Sequence, residues 1–229
     1  MMSFSLQFVL VLIGTFMIAL VLTPLVRLFS FKIDAVDYPN ARRINTKPMP
    51  SAGGLAIVIA FSIATLVFIP MLTSTTAPIK SYLSYTLPVV GAGWIIALTG
   101  LIDDVKELSA KKKMIGILLA ASLVWFLTDF RLNDFKIPFG GPLLHFEPWL
   151  SYLLTVIWIV AITNAVNLID GLDGLVSGVS IISLVTMGIV SYFFLPVPNL
   201  FLTMTIFVLV ASIAGFFPFN YHPAILYLG

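Results

Sequence analysis

The segment WIVAITNAVNLIDGLDGLVSGVSIISLV, residues 158–185, decides the fold. Two apolar runs meet there across a polar step that carries Asn164, Asn167, Asp170 and Asp173 at a spacing of three. The run before the step covers about 149–166 and the run after it about 174–195, each near the ~20 residues that a helix needs to cross a bilayer core. A carboxylate at the centre of such a span costs about 2.5–3.5 kcal/mol. Acids kept beside two spans therefore call for a partner and a use.

The same alternation runs through the chain. Further apolar runs at about 4–29, 53–72, 82–102, 114–130 and 199–217 bring the expected number of spans to about seven. Of 229 residues, 60% are hydrophobic and only 10% charged, and the mean hydropathy is +1.10. These values point to an all-α polytopic membrane protein, one multi-span domain over residues 1–229, and to no nucleic-acid partner. The first run is too long for the core of a secretory signal, has no basic residue ahead of it and shows no small-x-small cleavage pattern, so it reads as a retained span. With no Cys in the chain, disulfides, a thiolate nucleophile and a Cys-type metal site are excluded.

Charge gives the orientation. If the spans alternate, Arg27, Lys32, Arg42, Arg43, Lys47, Lys106, Lys111, Lys112 and Lys113 fall on one side, and Lys80, Arg131 and Lys136 on the other. The positive-inside rule puts the first group in the cytoplasm and the N-terminus outside. The acids divide the same way, with Asp34, Asp37, Asp103, Asp104, Glu107, Asp170 and Asp173 on the cytoplasmic side. Acids contribute little to orientation, so their gathering on one face suggests a polar site there. On the other side, FRLNDFKIPFGGPLLHFEP (130–148) alternates around FGGP and predicts a small extracytoplasmic β-hairpin.

The partner of the opening segment is GLIDDVKELSAKKKM, residues 100–114, in which Asp103 and Asp104 end a span on the same expected face. Two like charges about 4 Å apart repel by ~4 kcal/mol at an effective dielectric of 20, and a cation would relieve that. The donors are carboxylate and amide oxygens, a set that suits Mg²⁺, or Mn²⁺, rather than Zn²⁺. Mg²⁺ held by one or two carboxylates usually completes its shell with substrate phosphates. Arg42, Arg43, Lys47 and Lys111–Lys113 could hold further phosphate oxygens. Taken singly, these residues have plainer readings: topology and anionic-lipid attraction for Lys111–Lys113, and helix N-capping for Asp170 or Asp173 ahead of the next span. The set carries the argument, and a phosphate site at a membrane face suggests a lipid substrate.

At these residues the chain resembles the polyprenyl-phosphate N-acetylhexosamine-1-phosphate transferases. DYPNARRINTKPMPSAGGLAI, GLIDDVKELSAKKK, NAVNLIDGLDGLVSG and FNYHPAILYLG look like consecutive signatures of that family, in its order and over nearly the whole chain. The resemblance implies Mg²⁺-dependent transfer of a sugar 1-phosphate from a UDP-sugar to a polyprenyl phosphate in the cytoplasmic leaflet of a bacterial membrane, with release of UMP. It implies catalytic and metal-binding roles for Asp103 and Asp104. It also implies substrate binding by Asn167, Asp170 and Asp173, with Arg42, Arg43, Lys47 and Lys113 as phosphate-binding candidates. KPMPSAGG is closer to the branch that uses UDP-N-acetylglucosamine, with undecaprenyl phosphate as acceptor and teichoic acid linkage or similar envelope glycans downstream. The Thr-richer loop of the branch making the peptidoglycan precursor, the phospho-N-acetylmuramoyl-pentapeptide transferases, is the alternative. Asn45 stands where many relatives of the first branch have His, and Ile117 where many have Gln. Family members continue past FNYHPAILYLG into another metal-associated Asp, further spans and a His-rich loop, so the resemblance implies the N-terminal two thirds of such an enzyme.

Two readings from other classes stand beside this one. A cation-coupled transporter would use intramembrane acids, but its sites lie near the midplane on broken helices, whereas these acids cluster at one face. A noncatalytic membrane fragment is the other. Span surfaces left uncovered would favour a homo-oligomer.

Overall fold

The computed structural model describes residues 4–39, 47–73, 79–195 and 199–229. Eight α-helices account for most of them: α1 (Phe4–Lys32), α2 (Gly54–Ile63), α3 (Ile69–Thr73), α4 (Ile79–Lys106), α5 (Ala110–Leu127), α6 (Pro148–Ile169), α7 (Leu175–Phe193) and α8 (Leu200–Asn220). A π-helical turn, Ala64–Phe68, joins α2 to α3. Pro70 follows it, and a proline ring clashes with the carbonyl four residues back, a conflict that a widened turn relieves.

Six helical segments are long and apolar enough to cross a membrane: Ser5–Lys32, Gly54–Met71, Tyr82–Lys106, Pro148–Ile169, Leu175–Phe193 and Leu200–Asn220. The sequence expectation of about seven includes α5. That helix has 18 residues with Lys111, Lys112 and Lys113 in its first turn, so its share of charged residues is higher than in the other six, although it runs the length of the bundle between α4 and α6.

The helices pack as α1 against α8 and α2, α8 against α7 and α2, and a chain of antiparallel neighbours from α4 through α5 to α6. Hydrophobicity alone does not hold helices together in lipid, so small residues and hydroxyls matter at the contacts. At Gly215 of α8, a Cβ would stand 2.4 Å from the Phe16 carbonyl oxygen of α1; the bare glycine is what lets those two backbones touch. The buried hydroxyls of Thr15, Thr23, Ser30, Thr86 and Ser212 donate to the carbonyl four residues earlier and so need no partner from another helix. Phe61, Ile69, Tyr82, Met204 and Val208 form one packed cluster, and Ile57, Ile213, Phe216 and Leu226 another.

Two small antiparallel hairpins complete the structure. Strands β1 (Val36–Asp37) and β2 (Met49–Pro50) pair beside the C-terminal end of α1, and β3 (Asp134–Lys136) and β4 (Leu143–His145) pair within the α5–α6 connection. The second is the hairpin expected over 130–148. Asp103 and Asp104 lie at the end of α4, and α5 runs away from them, so this hairpin is at the opposite end of the bundle.

Candidate active site

The site assembles where four separated stretches meet: the segment leading into α2, the end of α4, the α6–α7 junction and the residues after α8. The last of these acts as a strap. Tyr227 N–H donates to the Pro50 carbonyl (2.9 Å), while Gly53 N–H and Gly54 N–H donate to the carbonyls of Tyr227 (3.0 Å) and Leu228 (2.8 Å). A helix start leaves its first N–H groups without intrahelical acceptors. α2 has no side-chain cap, and the strap carbonyls take over that work. Gly53 has to be glycine here, since a Cβ would come within 2.3 Å of the Phe216 ring and 2.7 Å of the Tyr227 carbonyl. Arg27 Nε donates to the Ile225 carbonyl (3.2 Å), and Asn220, buried, donates to the Leu226 carbonyl (3.2 Å) while accepting from Ser177 (2.8 Å).

Against this frame stand the two adjacent acids of α4. Neighbours on a helix point about 100° apart, and the two carboxylates accordingly find different partners. Asp104 Oδ2 accepts from the Ser51 hydroxyl at 3.0 Å, and Gly229 closes over the same oxygen. Asp103 forms an ion pair with Lys113 of α5 through one oxygen and accepts from Leu108 N–H at 2.8 Å through the other. Asp103 and Asp170 both lie within electrostatic range of Asp104. Asp103 and Asp104, with Asp170 in electrostatic range, thus outnumber the one ammonium paired with them, an excess of negative charge that a divalent cation would neutralise. Oxygen-only donors of this kind fit Mg²⁺ or Mn²⁺. Among the described residues no three His, Cys, Asp or Glu side chains are drawn together as a ready metal cage.

Asp170 follows the last turn of α6, and burial pushes its carboxyl above the ordinary value. Asp173 does not cap α7. The capping position is Gly174, in the left-handed region at φ 71°, and Asp173 Oδ2 instead accepts from Ala224 N–H (3.0 Å) and pairs with His222 Nδ1 (2.9 Å). The polar step between α6 and α7 is therefore tied to the strap. Tyr227 lies over it: burial raises its hydroxyl pKa, and the charges of Asp173 and Asp170 push the same way.

Two clefts meet at the acids. A polar one of about 380 Å³ is lined by Asp37, Tyr38, Ser51, Asp103, Asp104 and Lys113 among others. A second, of about 540 Å³, begins at Asp103, Asp104 and Lys113 and continues between α2, α4, α5, α6 and α8 over an apolar wall that includes Leu55, Ile96, Ile117 and Leu209. Asn164, Asn167 and Thr163 of α6 face that groove.

Of the residues singled out from sequence, Asp103, Asp104, Lys113 and Asn167 come together at the groove mouth. Asp170 and Asp173 lie next to them at the α6–α7 junction. Lys47 is exposed and lines neither cleft. Arg42, Arg43 and Asn45 lie outside the described residues. Ser51 and Tyr227 were not anticipated, nor were the backbone donors of Leu108 and Ala224.

The described residues thus form a helical bundle with six spans long enough for a membrane and a carboxylate–lysine cluster at the mouth of an apolar groove. Residues 86–229 match the model of Glycosyl transferase family 4, and the chain belongs to that family. It is 38% identical over 224 residues to a Bacillus subtilis strain 168 protein named probable undecaprenyl-phosphate N-acetylglucosaminyl 1-phosphate transferase, covering 97% of this chain and 58% of that protein. It is 32% identical over 215 residues to the decaprenyl-phosphate N-acetylglucosaminephosphotransferase of Mycobacterium leprae, 90% of this chain and 53% of that one. The protein of the same name from Mycolicibacterium smegmatis is 34% identical over 143 residues, 61% of this chain and 34% of that one. The chain thus spans little more than half the length of the first of these relatives.

Proposed function

We propose that this chain carries the larger part of the active site of a polyprenyl-phosphate N-acetylglucosamine-1-phosphate transferase. The donor is UDP-N-acetylglucosamine, the acceptor undecaprenyl phosphate, and the products are UMP and a lipid-linked sugar diphosphate that begins an envelope glycan. The acids face the cytoplasm of a bacterial membrane, with the N-terminus outside, as the basic residues around them require under the positive-inside rule. The observation that carries the reading is the groove. One continuous surface passes from a charged head, Asp103, Asp104 and Lys113, to an apolar wall inside the bundle, the shape and polarity of a lipid phosphate lying in a membrane.

In this reading the acceptor phosphate oxygen attacks the phosphorus that bears the sugar, and the P–O bond to UMP breaks. A phosphate monoester is mostly dianionic at neutral pH, with its second pKa near ~6, so it needs positioning more than deprotonation. Lys113 steers and holds a phosphate oxygen, with Asp103 fixing where the ammonium stands. Ser51 orients Asp104, and Asp103 and Asp104 would hold the Mg²⁺, which supplies charge stabilisation for the pentavalent phosphorus and the leaving UMP. Asn167 and Asp170 border the donor side, where Tyr227 and the strap close the site against water. Transport is the weaker reading, because the acids sit at one end of the bundle and not midway along it.

The test is transfer of radiolabelled sugar phosphate from UDP-N-acetylglucosamine to undecaprenyl phosphate with Mg²⁺, in membranes expressing the complete reading frame that contains this chain. Labelled lipid with stoichiometric UMP is expected, and Asp104→Asn should abolish both. Transfer only from UDP-N-acetylmuramoyl-pentapeptide would move the protein to the peptidoglycan branch, and no transfer from any UDP-N-acetylhexosamine would overturn the reading.

A further inference from the structure

The hairpin at the end of the bundle remote from the acids plays no part in that chemistry, yet it is built with two different faces. The pairing sets Asp134 opposite His145, Phe135 opposite Leu144 and Lys136 opposite Leu143. Side chains alternate along a strand, so Phe135 and Leu144 share one face with Ile137 and Pro142, while Asp134, His145 and Lys136 share the other with Leu143. On the polar face Asp134 Oδ1 and His145 Nδ1 form a pair, 2.5 Å apart. At the tip, Phe139 takes a left-handed backbone conformation, φ 61°, and is fully exposed. A bulky residue in that region is strained, and nothing within the described chain rewards it.

An isolated two-stranded hairpin is marginal in water, and both faces of this one are exposed, Phe135 at 52% and Leu144 at 41% on one and the His145 and Asp134 side chains at 73% and 53% on the other. Its base, by contrast, is fixed. Leu132 N–H donates to Thr155 Oγ1 (3.0 Å), Asn133 Oδ1 accepts from Ser151 (2.9 Å), and the Arg131 guanidinium lies over the Trp125 ring at 4.7 Å. These bonds tie the hairpin to the ends of α5 and α6, where Phe126, Leu127 and Trp149 are also exposed. Aromatic residues at that level mark the membrane–water interface. A rigid base at the interface, an apolar face continuous with lipid-facing side chains and a charged face on the other side leave one surface of matching chemistry.

We propose that this hairpin is a lipid-interface anchor, with Phe135, Ile137, Leu144 and the Phe139 tip seated among the lipids of the leaflet opposite the acids and the Asp134–His145 face turned to water. It would fix the depth and tilt of α5 and α6, and through α5 the position of Lys113, without touching substrate. The inference stands whether or not the transferase reading does.

The chain has no Cys, so single-cysteine variants can be labelled cleanly. Phe139→Cys and Lys136→Cys, each carrying a nitroxide in protein reconstituted into phosphatidylglycerol–phosphatidylcholine vesicles, report depth through collision with dissolved oxygen against a water-soluble nickel chelate. The expected result is an oxygen-to-nickel accessibility ratio several-fold higher at 139 than at 136. Equal, water-like ratios at both would overturn the proposal. So would a label at 139 that is shielded from both reagents and becomes accessible on dilution into excess lipid, which would mark contact with a second copy or another protein. Phe139→Trp with brominated lipids is an independent check: quenching supports insertion, and quenching by aqueous iodide instead refutes it.

Discussion

Replacing Ser51 by Ala removes one hydroxyl and tests whether the bond to Asp104 serves catalysis. Ser51 is buried at the foot of the strap, and its hydroxyl donates to Asp104 Oδ2 at 3.0 Å. A hydrogen bond to a charged acceptor contributes about 1.5–3 kcal/mol, and about 1.4 kcal/mol is tenfold in rate. If the bond holds Asp104 in its working orientation, kcat/KM should fall about 10- to 150-fold. Asp104 is only partly buried, so water can replace some of the lost donation, and the lower end is expected. Transfer kinetics in the complete protein, with kcat and KM measured for each substrate, read the effect. The loss should fall on kcat, because Ser51 borders no apolar part of the groove, and Ser51→Thr should restore most of it. Unchanged kcat in a Ser51→Ala protein that keeps its helicity would refute the link between this hydroxyl and the reaction.

Other outcomes follow from the same geometry. Lys113→Met should leave thermal stability nearly unchanged, since Lys113 is 47% exposed and such ion pairs contribute about 1 kcal/mol or less, while sharply reducing transfer; a large drop in melting temperature would make the pair structural. Gly53→Ala should destabilise the fold by about 1–3 kcal/mol, because its methyl group meets Phe216 and the Tyr227 carbonyl, and should also lower activity by shifting Ser51; chemical denaturation in detergent reads the first and UMP release the second. Asp170 carries a carboxyl raised above 3.8 by burial, so the folded state holds its proton more tightly than the unfolded one. Its contribution to stability is full below 3.8 and is lost as pH rises through the folded value. Asp170→Asn should therefore flatten the fall in melting temperature across that window; an unaltered pH profile would show that the burial has no thermodynamic weight.

What the sequence discloses and what it hides divide along physical lines. The spans are legible because bilayer thickness demands long apolar runs, and the short helix α5 is the one place where run length and helix type part company, Lys111–Lys113 occupying its first turn. The hairpin over 130–148 is legible from alternation around FGGP. Strands β1 and β2, two residues each, leave no periodicity to read. Asp103, Asp104, Asn167 and Lys113 stand out because polar groups are costly in such surroundings. Ser51 has no such contrast, lying in a loop where a serine is ordinary. Tyr227 reads as one more aromatic, and the N–H groups of Leu108 and Ala224, which hold Asp103 and Asp173, have no sequence signature at all. Asp173 shows the limit of local reasoning: its place before a span suits a cap, but Gly174 turns left-handed and frees the carboxylate for a contact 51 residues away in the chain.

That long-range contact explains why the site belongs to the bundle as a whole. Asp104 is fixed by Ser51, Ser51 by its neighbours Pro50 and Gly53, and both of those by the Tyr227 backbone; Tyr227 follows Ala224, which is bound to Asp173. Each hydrogen bond in this relay joins residues distant in sequence; the two at Tyr227 are between backbone groups that no side-chain substitution removes, and the other two end on the carboxylates of Asp104 and Asp173. The acids of α4 and the polar step after α6 are thus set relative to each other through the strap, not through direct contact between α4 and α7. Substitutions that loosen the strap, such as Gly53→Ala, should therefore damage activity at Asp104 and binding near Asp170 together, whereas a change confined to Lys113 should act through Asp103 and the acceptor phosphate and leave the strap in place.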